Sequence, residues 1–225
     1  MSGTTPVLMC WSGGKDSCVA LHALQRSPDH EVVGLLTTVT QDYGRISMHG
    51  VRTELLDRQA AALGLPVERV EIPAAGSNDT YEAAMAAALA RYQAKGVSTV
   101  AFGDLFLADI RAYRERMLAP AGFAALFPVW GRETGAFARD FIAAGFQAIV
   151  TCVDLSQLHA SFAGRVIDAQ FLADLPPGVD PCGENGEFHS FVFDGPNFAR
   201  RVAFEVGESV EREGFCFRDL VPTIS

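Results

Sequence analysis

The sequence predicts an α/β protein in which a parallel sheet carries helices on both faces and a smaller C-terminal α+β domain follows. Two observations carry this reading. Through residues 1–128, short aliphatic or β-branched runs alternate with segments of helical period, the pattern of βαβ units. After Pro128 the alternation loosens and the charge shifts. Residues 1–128 hold 11 basic and 13 acidic side chains, whereas residues 129–225 hold 7 and 14. The domains are therefore expected at 1–128 and 129–225.

Residues 6–11 form an apolar run that stops at Ser12-Gly13-Gly14. Residues 16–26 place Val19, Ala20, Ala23 and Leu24 at helical spacing. Residues 31–39 are rich in Val, Leu and Thr and read as a buried strand. The helix expected at 52–63 is closed by Gly64 and stopped by Pro66. A strand follows at 67–72, then an alanine-rich helix at 78–94 with Gly96 just beyond it. A strand at 99–102 ends at Gly103-Asp104, a helix covers 108–118, and 124–127 is the last short strand of this part. Further on, 133–144 reads as a helix and 147–153 as a strand. Pro176-Pro177-Gly178 then breaks the chain before CGENGEFHSFVFDGP. Parallel sheets of this kind bind ligands beyond the carboxyl ends of their strands. That puts Ser12 to Ser17, Thr37 to Thr40 and Gly103-Asp104 on one rim.

Composition narrows the function. At 225 residues, 49% hydrophobic and 20% charged, the chain is an ordinary globular protein that can bury a core without staples. A net charge of −9 argues against affinity built on neutralising many phosphates, so nucleic acid is disfavoured as a partner. No segment approaches the apolar length of a membrane span, and no secretory signal opens the chain. A cytoplasmic protein without a membrane partner is expected. The five cysteines (Cys10, Cys18, Cys152, Cys182, Cys216) are scattered, with no C-x-x-C pair. They read as small buried hydrophobes in a reducing compartment rather than a zinc site. The acidic second domain suits a cationic substrate, and a solvated acidic face explains it equally well.

The chemistry is concentrated in Ser12-Gly13-Gly14-Lys15-Asp16-Ser17, between the first strand and the first helix. Two glycines let the backbone turn tightly and approach a ligand. The following helix points its positive end at the same place. Ser12 and Ser17 offer hydroxyls, and Lys15 offers a point charge. Asp16 would repel a bare phosphate, so it belongs there as a helix cap or as a ligand to Mg²⁺ riding on the phosphates. The spacing is not that of a Walker A loop, because Gly13 and Gly14 are adjacent. Of 18 basic residues only Lys15 and Lys95 are lysines. In so arginine-biased a chain, a lysine in this loop points to a role for an ammonium.

SGGKDS after a first strand resembles the PP-loop of the ATP pyrophosphatases, in the adenine-nucleotide α-hydrolase superfamily. Further segments resemble the diphthine–ammonia ligase family: ISMHGVRTELLDRQAAALGLP, the stretch from Gly103-Asp104 through IRAYRERM, Phe127-Pro128-Val129-Trp130, and CGENGEFHSFVFDGP. They cover nearly the whole chain in order. The family's late motif usually has Gly where this chain has Asn185 and Thr where it has Ser190. The resemblance implies a Rossmann-like (HUP-type) sheet, with 1–128 as the ATP-binding domain and 129–225 as the acceptor-substrate domain. It implies ATP cleaved between its α- and β-phosphates, with ATP and Mg²⁺ as cofactors. A carboxylate would be adenylated and then displaced by ammonia, giving an amide, AMP and pyrophosphate. The partners are then ATP, ammonia and an unidentified carboxylate acceptor, protein-borne or small, with a homo-oligomer left open.

By that resemblance Ser12, Gly13, Gly14, Lys15, Asp16 and Ser17 would hold the pyrophosphate, with Asp16 on the metal and Lys15 and Asp16 in catalytic roles. Thr37 and Thr38 would lie near the adenine, although β-propensity alone explains a threonine there. His49 would contact phosphates or move a proton, or is a satisfied loop histidine. Gly103 and Asp104 suit a rim contact, or a turn and helix cap. Arg111, Arg114 and Glu115 share one side of a helix and would clamp the α-phosphate or the acceptor, or form a surface ion-pair set. Glu184, Glu187 and His189, with Gly183 and Gly186 alternating with the two carboxylates, would bind a cationic acceptor, orient ammonia or take its proton, or form a solvated turn. Two other readings compete: a PP-loop enzyme that modifies tRNA, and a regulatory protein that binds ATP without turning it over.

Overall fold

The computed structural model describes residues 3–40, 45–46, 50–73 and 78–223. Its elements run β1 (Thr5–Cys10), α1 (Lys15–Gln25), β2 (His30–Thr40), β3 (Arg45–Ile46), α2 (Thr53–Leu63), β4 (Val67–Ile72), α3 (Asn78–Gln93), β5 (Thr99–Ala101) and α4 (Ala108–Leu118). There follow β6 (Ala124–Leu126), α5 (Thr134–Ala143), β7 (Gln147–Asp154), α6 (Ala169–Asp174), β8 (Phe188–Asp194), β9 (Phe204–Arg212) and β10 (Phe215–Pro222). They form two compact units. One holds Met1–Ser12, Asp16–Gly44 and Leu65–Gly131, the other Gly13–Lys15, Arg45–Gly64 and Arg132–Ser225.

The first unit is built on five parallel strands in the spatial order β4-β2-β1-β5-β6. Central β1 buries Val7, Leu8 and Met9 completely, although successive side chains point to opposite faces. Both faces of the sheet are therefore covered at its middle, as a continuous apolar run requires. One core joins Leu8, Leu36 and Val100 of the strands to Met85, Leu89 and Tyr92 of α3 and Leu118 of α4. The winding reverses between β1 and β5, which is where such sheets open a crevice beyond their carboxyl ends. Gly103 lies just past β5, and a Cβ there would fall 2.7 Å from the carbonyl carbon of Asp16 and 2.7 Å from the nitrogen of Ser17. The backbone leaving β5 thus packs directly on the first turn of α1.

The second unit contains an antiparallel sheet in the order β8-β7-β10-β9. Its interior is aromatic. Phe171 of α6 is fully buried and meets Phe162 and Phe188 edge-on, at 5.7 and 5.3 Å. Glu133 caps α5 by accepting from Gly135 N–H (2.8 Å) and Ala136 N–H (2.6 Å), and Asp168 caps α6 through Phe171 N–H (2.7 Å). Helix α2 ends at Gly64, at φ 69°, whose N–H reaches the carbonyls of Ala60 and Ala61.

Strands β8, β9 and β10 go beyond the single strand expected after Pro128. The β9–β10 turn explains part of this. Phe215 pairs with Arg212, which leaves a two-residue loop of Glu213 (φ 53°) and Gly214 (φ 83°). Both positions need positive φ, the hairpin geometry usually signalled by Asn-Gly or Asp-Gly, and Glu213 hides that signal. Among the described residues no helix is long and apolar enough to cross a membrane.

Gly103→Ala should lower stability by about 1–3 kcal/mol, because backbone atoms rather than a flexible side-chain tip would have to yield. A lower urea midpoint at an unchanged slope would confirm it.

Candidate functional site

In the first unit the SGGKDS segment contributes Ser12, Asp16 and Ser17. The hydroxyls of Ser12 and Ser17 lie 3.1 Å apart, and Ser17 is buried. Trp11 N–H bonds to the Leu36 carbonyl at 2.7 Å, so β1 and β2 stay registered up to the loop. One residue on, Thr37 is 2% exposed, and its Oγ1 has no hydrogen-bond partner among the described residues. A buried hydroxyl is seldom left this way unless a water or a ligand completes it. Thr38 beside it is half-buried.

Asp104 is half-buried and held by Arg114, through Nε at 2.8 Å and Nη2 at 3.4 Å. That pairing occupies the carboxylate expected at the rim. Arg111 and Glu115 form an exposed i,i+4 pair at 2.9 Å. The three α4 side chains therefore divide, with Arg114 turned to the β5 exit and Arg111 paired along its own helix. Burial pushes the Cys10 thiol and the Tyr81 hydroxyl each up to about 12, so neither is a nucleophile at neutral pH.

In the second unit the rest of the segment is fixed to β8. Gly13, at φ 76°, turns its carbonyl to accept from Val192 N–H at 2.9 Å and from Gln59 Nε2 at 3.0 Å. The same Nε2 donates to the Val192 carbonyl at 2.6 Å, and Gln59 is fully buried. Lys15 N–H donates to Ser190 Oγ at 3.3 Å. The Lys15 side chain is buried, with its ammonium 5.7 Å from the centroid of the Phe188 ring. Gly14 lies between these two anchored residues.

The turn before β8 is organised by carboxylates. Asp180 Oδ1 accepts from Cys182 N–H (2.8 Å) and Glu184 N–H (3.3 Å). Glu187, 2% exposed, accepts on Oε1 from Asp180 N–H (2.8 Å) and Asn185 Nδ2 (3.1 Å), and on Oε2 from Asn185 N–H (3.0 Å). Gly183 and Gly186 take φ 68° and 86°, which lets the chain reverse around these acceptors. Glu184 is half-buried on the same turn. His189 follows in β8, and burial, reinforced by the Lys15 charge, lowers its pKa to about 4. His49 lies outside the described residues.

These residues fit a nucleotide. In the first unit the fit rests on the orphaned Thr37 hydroxyl at the exit of β2, and in the second on the buried Lys15 that opens α1. Among the described residues no group of three or more His, Cys, Asp or Glu gathers into an all-protein metal cage. Mg²⁺ riding on the phosphates would need one carboxylate, and Asp16 is the loop's single carboxylate.

Four residues that hold this geometry were given no role from the sequence: Gln59, Asp180, Ser190 and Val192. Gln59 is a polar residue on the apolar face of α2, and that misplaced polarity was its only signal. Val192 acts through its backbone, which no side chain announces.

Gln59→Leu should cost about 1–3 kcal/mol, because two buried carbonyls lose a donor, and the effect should appear in urea unfolding. His189 gives a pH signature. Its folded pKa lies below the ordinary 6.5, so the unfolded chain takes up the proton first and stability falls as pH drops from 6.5 towards 4. The loss is on the order of 3 kcal/mol. His189→Gln should flatten that part of the stability–pH curve, and an imidazole titrating near 6.5 in the folded protein would contradict it.

The chain matches the family model described as the diphthamide synthase N-terminal domain over residues 5–124, and the diphthamide synthase C-terminal domain over residues 133–220. Curated relatives are named diphthine–ammonia ligase. The protein from Danio rerio is 28% identical over 222 residues, covering 88% of this chain and 86% of the relative. Its counterpart in Schizosaccharomyces pombe is 25% identical over 228 residues, covering 91% of this chain but 37% of that longer protein. The Rattus norvegicus protein is 25% identical over 231 residues, with 88% and 82% covered. With both domain models matched in order along the same chain, it belongs to the diphthamide synthase family and is an enzyme of the ATP-dependent, amide-forming ligase type.

Proposed function

We propose that this chain activates a carboxylate by adenylation and converts it with ammonia to an amide, releasing AMP and pyrophosphate. One observation carries the reading. Gly13 and Lys15 of the PP-loop bond directly to Val192 and Ser190 of β8, the strand that continues the GENGEFH turn. Residues suited to phosphate and residues suited to an amine therefore share one local structure.

A carboxylate oxygen of the acceptor attacks the α-phosphorus, the bond to the bridging oxygen breaks, and pyrophosphate leaves. Fixed donors must meet the charge that develops on that leaving group. Lys15, held in place by its backbone bond to Ser190, supplies the cation, Ser12 and Ser17 supply hydroxyl hydrogen bonds, and the N-terminal end of α1 adds its positive dipole. Asp16 holds Mg²⁺, which offsets phosphate charge when bound. Thr37 and Thr38 receive the adenosine end, and His49 is assigned to the phosphates. Ammonia then attacks the acyl carbon, AMP departs, and the new amide nitrogen sheds a proton. Glu184 is the group to take it. Both oxygens of Glu187 already accept hydrogen bonds, so its part is to hold the turn that presents Glu184. His189 acts as a neutral imidazole, since it stays unprotonated at physiological pH.

The relatives' names give diphthine as their acceptor. For this chain the acceptor is a carboxylate, either protein-borne or on a small molecule. A cytoplasmic location is supported by the cysteines, among which no disulfide forms.

The test uses purified protein, α-labelled ATP, Mg²⁺ and ammonium, with a cell extract split by size. AMP formed only with the small-molecule fraction identifies a metabolite ligase, and AMP formed only with the protein fraction identifies a modifying enzyme. Asp16→Ala should abolish AMP release, and Lys15→Met should lower kcat by about 10²- to 10³-fold. Tight ATP binding with no AMP from any fraction would overturn the reading in favour of an ATP-binding regulator.

A further inference from the structure

In the first unit two guanidinium groups and three aromatic rings form a column where the segments leaving β5 and β6 meet α4. The Arg114 guanidinium lies 4.5 Å from the centroid of Phe102, and Phe102 stacks on Phe127 at 5.6 Å. The Arg111 guanidinium follows, 4.9 Å from Phe127 and 4.8 Å from Trp130. Gly131 N–H bonds to the Leu105 carbonyl at 2.7 Å and ties the two segments together. Arg–aromatic contacts of this kind are attractive even at exposed sites. They fix the plane of the guanidinium as well as its position.

The column's two cations differ in what they have left to give. Arg114 spends Nε and Nη2 on Asp104, and that pair is largely shielded, at 27% and 16% side-chain exposure. Arg111 is 39% exposed and gives only Nε to Glu115. Its Nη1 and Nη2 make no hydrogen bond among the described residues. An exposed i,i+4 pair contributes little, too little to be the reason for packing two half-buried rings against this arginine.

We propose that Arg111 binds the carboxylate of the acceptor, through N–H groups of Nη1 and Nη2 that Glu115 leaves unused. The proposal rests on the reading of this chain as a carboxylate-activating ligase, and names the residue that recognises the carboxylate. A planar fork matches a carboxylate in two parallel hydrogen bonds, and holding that fork between rings reduces the rotamer entropy lost on binding. The location agrees, because Phe127 to Trp130 leave the carboxyl end of β6 on the rim where such sheets take ligands. Phe106, on the segment leaving β5, is 41% exposed and offers apolar surface there for the acceptor's body. The phosphates have their own cation in Lys15, so Arg111 is not required for them.

The probe is hippurate, a carboxylate on an aromatic body, with uncharged hippuramide as its control. The reporter is the indole N–H resonance of Trp130, assigned with Trp130→Phe. Hippurate should shift it saturably with a dissociation constant in the millimolar range or below, and hippuramide should not. Arg111→Gln and Arg111→Lys should each weaken hippurate about tenfold or more, the lysine because it keeps the charge but loses the fork. Glu115→Gln should tighten it by removing the competing carboxylate. Affinity for ATP should be unchanged in all three variants.

Absence of a saturable shift in the unmodified protein would overturn the proposal. So would an unaltered shift in Arg111→Lys with its urea midpoint intact. A parallel loss of ATP affinity would instead assign Arg111 to the nucleotide. Failure of the ligase reading looks different, because AMP would then be missing from every fraction while hippurate binding to Arg111 remained measurable.

Discussion

The Gly13 carbonyl is the point on which the rest of the site depends. It accepts from Val192 N–H and from Gln59 Nε2, and the same nitrogen reaches the Val192 carbonyl. A helix side chain, a strand backbone and a loop carbonyl are thereby closed into one small network. Buried carbonyls are costly to leave unmet, so this arrangement has few neighbours in conformation to drift into. Gly13 is at φ 76°, and a Cβ on it would lie 2.8 Å from Gln59 Oε1. Backbone freedom and lack of volume are both needed at this one residue. Once Gly13 is held, Lys15 two residues later comes within reach of Ser190, and its ammonium is delivered to a fixed place.

Around that network the charges are arranged by what they cost to bury. Lys15 is nearly inaccessible, and burial together with this cation keeps His189 neutral. Glu187 is buried as well, but three donors surround its carboxylate and make it part of the turn. Glu184 stays half-exposed on that turn. Two glutamates that look equivalent in GENGE thus differ in burial, Glu187 closed in by its donors and Glu184 half-exposed.

The same distinction separates the two arginines of α4. They lie three residues apart, and both stack on aromatic rings. Arg114 is neutralised by Asp104 at the exit of β5, where it braces the backbone that packs on α1. Arg111 keeps most of its hydrogen-bonding capacity. Position along the helix made them neighbours, and the partners supplied by the strand ends made them different.

The sequence by itself determined the parallel α/β sheet and the loop. Apolar runs buried on both faces and helices at regular spacing leave few other ways to satisfy the backbone, and adjacent glycines before Lys15-Asp16-Ser17 announce a tight turn into a helix. β1, α2, β4 and α4 lie within a residue or so of where their patterns put them, because local periodicity and terminators such as Gly64 act over short range. Tertiary structure alone decided the rest. Gln59 gained its role from a strand more than a hundred residues away, and Val192 acts through a backbone that every residue shares. Asp104 became a brace when Arg114 folded onto it. The β9–β10 hairpin stayed hidden because Glu213 occupies a positive-φ position usually marked by Asn or Asp. For Gln59 and Val192 the deciding partner is distant in sequence, and hydrogen bonds of that range leave no periodic trace in the chain.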